Sequence, residues 1–148
     1  MSPIQNQKTV YLLIMVFVLL AGIFTPVMGA AETATGLLDE QTFFIEQGEK
    51  GKEANETDTL IFKDGRFRST GCDQYGFGDA PYTATQEGNT IRFVADTFSE
   101  KSGTIHWEGT VEGKNIAVVQ IWTDKPHWYK RNPKPLEKWG KGELQQPE

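Results

Sequence analysis

The chain has 148 residues, a formal net charge of −5 and a single cysteine. Its length suits one domain. The acidity excludes the basic footprint of general nucleic-acid binding, and one cysteine excludes an internal disulfide.

The first thirty-one residues read as a targeting segment rather than fold. Lys8 supplies a positive start, Val10 to Phe24 is an almost unbroken apolar run, and Pro26 ends it. Val27-Met28-Gly29-Ala30-Ala31 then offers small residues to a signal peptidase, so residues 1–31 are expected to be a signal peptide cut after Ala31, with Gly29 the other option. The run is shorter than the roughly 20 residues a membrane-spanning helix needs. No stable membrane span is therefore expected after cleavage, and the destination is periplasmic or secreted. Cleavage removes Lys8 and no acid, leaving 14 basic and 20 acidic residues, a net of −6.

Residues 32–40 are small and polar and read as a flexible leader. Gln41 to Gln47, rich in aromatic and β-branched residues, reads as a first strand. The charged, glycine-containing residues 48–58 read as a solvated loop. Three hairpins follow. Thr59–Lys63 and Arg66–Thr70 flank Asp64-Gly65, a strong two-residue turn signal that pairs Phe62 with Phe67. Residues 82–87 and 90–97 flank Gly88-Asn89, placing Tyr82 and Ala84 on one face with Ile91, Phe93 and Ala95. Residues 104–112 and 115–123 flank Gly113-Lys114, placing Ile105, Trp107 and Val111 with Ile116, Val118 and Trp122, and Gln120 opposite Trp107. A last strand over Glu137 to Leu144 is positioned to return to the first.

No stretch after residue 31 has convincing helical periodicity. The expected fold is all-β: about eight strands in an antiparallel up-and-down barrel filling residues 41–145, its interior wide enough for side chains or one small ligand.

Residues 62–72 (Phe-Lys-Asp-Gly-Arg-Phe-Arg-Ser-Thr-Gly-Cys) and 75–78 (Tyr-Gly-Phe-Gly) carry a resemblance. From Leu37 to about Leu144 the chain is similar to a family of small, uncharacterised exported bacterial proteins with a lipocalin-like (calycin-like) barrel. The resemblance implies an exported barrel and no particular activity. The lipocalin Gly-x-Trp is absent, since Gly36-Leu37-Leu38 has no tryptophan, so lipocalin ligand residues do not carry over.

The glycine-rich stretch around Cys72 joins two hairpins, the kind of loop that carries function on a rigid scaffold. Cys72 reads first as a small packed hydrophobe, with a reactive thiol or a ligand contact as alternatives. A thiol enzyme would need a base in reach, and the register puts His106 on the outside of the barrel, so no catalytic residue is assigned. Asp73 and Asp79 read as loop acids making turn hydrogen bonds. His106, His127 and Cys72 match no zinc spacing, and neither metal nor cofactor is expected.

A pocket needs apolar lining with a few placed polar groups. Cys72, Tyr75, Phe77, Tyr82, Phe93, Trp107, Gln120 and Trp122 form the candidate ligand set, for a small apolar or amphipathic molecule at the barrel mouth. The alternative is a filled core in a structural or interaction module of the cell envelope. That module would dock a partner through the basic, aromatic run of Lys125, His127, Trp128, Tyr129, Lys130 and Arg131.

Overall fold

The computed structural model describes residues 32–34, 36–126 and 132–146. The expected signal peptide and His127, Trp128, Tyr129, Lys130 and Arg131 lie outside them. The described chain is all-β: β1 (Glu32–Ala34), β2 (Gln41–Glu49), β3 (Glu56–Lys63), β4 (Arg66–Ser69), a 3-10 helix (Thr70–Tyr75), β5 (Ala80–Glu87), β6 (Thr90–Ser99), β7 (Gly103–Glu112), β8 (Asn115–Thr123) and β9 (Leu136–Leu144).

Strands β2 to β9 run as a meander in which each pairs antiparallel with the next, and β9 returns to β2, so eight strands close into a barrel. The three hairpins have the registers that their turns dictate: Phe62 opposite Phe67, Tyr82 opposite Ala95, and Trp107 opposite Gln120. Asp64 and Gly65 both have positive φ, 51° and 71°, the mirror-image turn whose twist suits a right-handed hairpin.

Three elements depart from the expected layout. Residues 48–58 were expected to be a solvated loop, yet β2 runs on to Glu49 and β3 begins at Glu56, because the alternation of both strands continues and turns Asp58 inward, where it is buried. Residues 32–34 were expected to be part of a flexible leader, yet they form β1 against Ala84, Thr85 and Gln86 of β5. The cause is local: β4 meets β5 at only Arg66–Pro81 and Phe67–Ala80, which leaves the rest of that β5 edge open. The loop after β4 contains the 3-10 helix, a single short piece in which no helical period can register.

Alternation sends Phe43, Leu60, Phe62, Phe67, Tyr82, Phe93, Ile105 and Trp107 inward, each no more than 1% exposed. Phe62 sits at the hub, its ring 6.0 Å from that of Phe43, 5.2 Å from Phe67, 5.1 Å from Tyr82 and 4.9 Å from Phe93. Phe67 continues the contact to Trp107 at 5.0 Å. Offset and edge-on rings of this kind add to their burial. Gly109 makes the room: a Cβ there would stand 2.2 Å from the Phe93 ring.

The three two-residue turns, Asp64-Gly65, Gly88-Asn89 and Gly113-Lys114, lie at one end of the barrel. There Leu38 is fully buried; its N–H donates to the Tyr82 hydroxyl (3.0 Å), which donates to Asp39 (2.8 Å), and the Asp39 carboxylate also accepts the Gly65 N–H. That end is plugged. The longer connections gather at the other end.

Candidate functional site

The loop end owes its chemistry to the same alternation that builds the plug. Following Phe43 and Ile45 along the inner face of β2 comes Gln47; ahead of Leu60 on β3 comes Asp58; on β8 Gln120 stands opposite Trp107, with Trp122 one inward position further. The interior is therefore zoned, aromatic towards the tight turns and polar towards the loops.

Gln47 and Gln120 are 6% and 3% exposed, and the Gln120 amide donates to Gln47 Oε1 at 2.6 Å. The Gln47 amide leans towards Glu56 at 3.4 Å, and Glu56 accepts from Lys138 Nζ at 2.6 Å, so the pair connects to an ammonium at the mouth. The Lys138 side chain is mostly buried. Thr97 Oγ1 accepts the Trp107 indole N–H at 3.2 Å, marking the boundary with the aromatic zone.

Asp58 organises the loop above. Its carboxylate accepts from the N–H of Gly71 and of Thr59, both at 2.7 Å, from the Ser69 hydroxyl, and from Thr70 Oγ1 at 3.4 Å. These bonds hold the start of the 3-10 helix against β3 and leave no room at Gly71, where a Cβ would lie 3.0 Å from the carboxylate. Arg68 clasps Asp73 and Arg66 clasps Asp79, so both loop acids are tied to the strand below. Further along, Tyr75 O accepts from Ser99 and Ser102 hydroxyls at 2.8 Å each, fixing the far side of the loop over β6 and the turn after it.

The result is a lid. The Tyr75 ring lies 5.1 Å from Trp122 and the Phe77 ring 5.6 Å from it, while the Trp122 indole donates to Ser102 O at 2.7 Å. Phe77 is buried and Tyr75 is exposed. Cys72 projects inward from the lid and is almost buried; burial pushes its thiol up to about 11, with the Asp58 charge adding to the effect against the Ser69 hydrogen bond. A thiol so placed is protonated at neutral pH, the opposite of an activated nucleophile.

The candidate ligand set is thereby split. Tyr82, Phe93 and Trp107 belong to the aromatic plug. Gln120, Cys72, Tyr75, Phe77 and Trp122 come together at the loop end. Of the basic run only Lys125 is described, and its ammonium donates to Glu100 O at 2.7 Å. His106 lies on the outer wall, Nδ1 2.7 Å from Asp96 and Nε2 3.1 Å from Glu108, far from any role beside Cys72. Asp58, Gln47, Glu56 and Lys138 escaped the sequence reading. The signal for the first two was present, because strict alternation from Phe62 and from Phe43 puts both on inner faces.

Among the described residues no group of three or more His, Cys, Asp or Glu side chains is arranged to hold a metal. No protein-family model matches the chain, and neither curated proteins nor solved structures give a match.

Proposed function

We propose that the chain is an exported, non-catalytic binding protein with a lipocalin-like barrel, which holds a small apolar or amphipathic molecule at the mouth between the 71–81 loop and the 125–135 loop. The observation that supports this reading is the aromatic lid of Tyr75, Phe77 and Trp122 standing at the same end as the polar Gln47–Gln120 pair. Apolar walls with a few convergent polar groups are the composition of a small-molecule site. The packed plug confines such a ligand to the mouth, against Trp122 rather than Trp107. Export rests on Lys8, the apolar run and the small residues before Glu32.

Titration with anilinonaphthalene sulfonate tests the site. Saturable enhancement that is lost in Trp122→Ala and kept in Trp139→Phe is expected; no saturable binding overturns it. Sequencing the mature N-terminus tests export, with Glu32 as the first residue expected and a retained Met1 against it.

The plug itself favours a second reading, a filled-core interaction module of the envelope that docks a partner through the run beginning at Lys125. Native mass spectrometry of protein from its own host separates the two. A small mass released on denaturation supports the first, and a bare or partner-bound chain the second.

A further inference from the structure

The connection between β2 and β3 runs into Glu53-Ala54-Asn55-Glu56-Thr57. Asn55 and Thr57 form an Asn-x-Thr sequon with no proline between them, the acceptor motif for N-linked glycans. None of the other asparagines, Asn6, Asn89, Asn115 and Asn132, has Ser or Thr two residues on. Glu53 stands two positions before Asn55, the place where bacterial oligosaccharyltransferases require a carboxylate. Acidic residues make up 20 of the chain's 148, so an acid at that one place is an uncommon coincidence.

The fold holds the backbone of this connection and leaves its side chains free. Lys50 N–H donates to Glu137 O at 2.9 Å, Asn55 N–H to Gln47 O at 3.0 Å, and the Trp139 indole N–H to Lys52 O at 3.0 Å. Gly48 completes the seat, since a Cβ there would lie 2.5 Å from Glu53 O. With the main chain so held, residues 50–57 are all exposed. Thr57 stands opposite Glu46 on the outer face of the wall. The Asn55 side-chain amide and the Thr57 hydroxyl make no hydrogen bond among the described residues. An oligosaccharide on Asn55 Nδ2 therefore grows into solvent with no native contact given up.

We propose that Asn55 is an N-glycosylation site, modified after export by an oligosaccharyltransferase that also reads Glu53. The proposal rests on the export reading above. In the transfer, Asn55 Nδ2 bonds to the anomeric carbon of an oligosaccharide carried on a lipid pyrophosphate. The bond from that carbon to the pyrophosphate oxygen breaks, the lipid pyrophosphate leaves with the electron pair, and the amide gives up one proton. The glycan stands on the rim of the mouth, next to the Glu56 that pairs with Lys138. Bulky and hydrophilic, it covers the exposed end of that hairpin.

Mass spectrometry of the protein purified from its own host tests the site. Trypsin cuts after Lys52 and Lys63, so peptide 53–63 is expected to carry a glycan and to release sugar fragment ions. Asn55→Gln, Thr57→Ala and Glu53→Gln should each lose the modification, while Thr57→Ser keeps it. All three positions are exposed, where substitutions leave folding nearly unchanged. A bare peptide 53–63 in chains that begin at Glu32 overturns the proposal and leaves export standing. A bare peptide in chains that begin at Met1 overturns both. A glycan that survives Asn55→Gln or Glu53→Gln overturns the proposal as well.

Discussion

The hydroxyl of Tyr82 stands between two backbone-distant groups, donating to the Asp39 carboxylate at 2.8 Å while accepting the Leu38 N–H at 3.0 Å. Tyr82 comes from β5 and Asp39 from the turn before β2, so one phenol ties the plug to the wall. Tyr82→Phe keeps the ring, strands the Leu38 N–H and leaves the Asp39 carboxylate with the Gly65 N–H alone of these two donors. Unfolding in urea is expected to show a loss of about 1–3 kcal/mol. A change below a few tenths would mean that the plug stands without this link.

Asp58→Ala removes the acceptor of the bonds that hold the 3-10 helix to β3. Hydrogen bonds to a charged acceptor contribute about 1.5–3 kcal/mol each at most, and they share one group, so a total loss of about 3 kcal/mol is expected. The lid opens with it. Cys72 in Asp58→Ala should therefore react with iodoacetamide many times faster than in the unaltered protein at the same pH, and equal rates would detach the lid from Asp58.

Alkali should unfold the protein earlier than an ordinary barrel. The Cys72 thiol is pushed up to about 11, chiefly by burial. The Tyr82 hydroxyl is pushed up to about 12, by burial first and then by the hydrogen bond to Asp39. Both values lie above those of the unfolded chain, roughly 8.5 and 10. The unfolded state thus releases its protons first as pH rises. Stability is complete below about pH 8.5 and falls through the folded values. Cys72→Ala should flatten the decline between pH 9 and 11, as read from urea midpoints at each pH.

Gly109→Ala puts a methyl group 2.2 Å from the Phe93 ring. Overpacking of this kind costs about 1–3 kcal/mol. Restoring space with Gly109→Ala plus Phe93→Leu is expected to recover part of the loss, and strict additivity of the two substitutions would show that they do not share the space.

What the sequence disclosed and what it hid follow from interaction range. Asp64-Gly65, Gly88-Asn89 and Gly113-Lys114 fix the pairing of the strands beside them, and alternation then assigns every face, down to Gln120 opposite Trp107. The long-range hydrogen bonds of Leu38 and Asp39 go to Tyr82 and Gly65, more than two dozen residues away, and a pair of leucines ahead of a strand has no period to read. Asp58 shows the same limit. It was read as part of a solvated loop although alternation from Phe62 turns it inward, and the donors it gathers come from a loop whose path depends on it. The candidate ligand residues were chosen by face alone. Face does not say depth, and depth is what separates Trp107 in the plug from Trp122 beneath the lid.

Closure by β9 on β2 imposes an order on folding. Phe43 pairs with Leu144, partners roughly a hundred residues apart, and contacts of such span are slow to form. Until residues 136–144 arrive, the outer edge of β2 and that of β8 both stand unpaired, and such edges template association between chains. Loss of those nine residues would remove two ladders at once, one on each side of the gap. The chain is therefore most vulnerable to aggregation in the interval before its last strand docks, and a chaperone that guards it should hold on until that strand is in place.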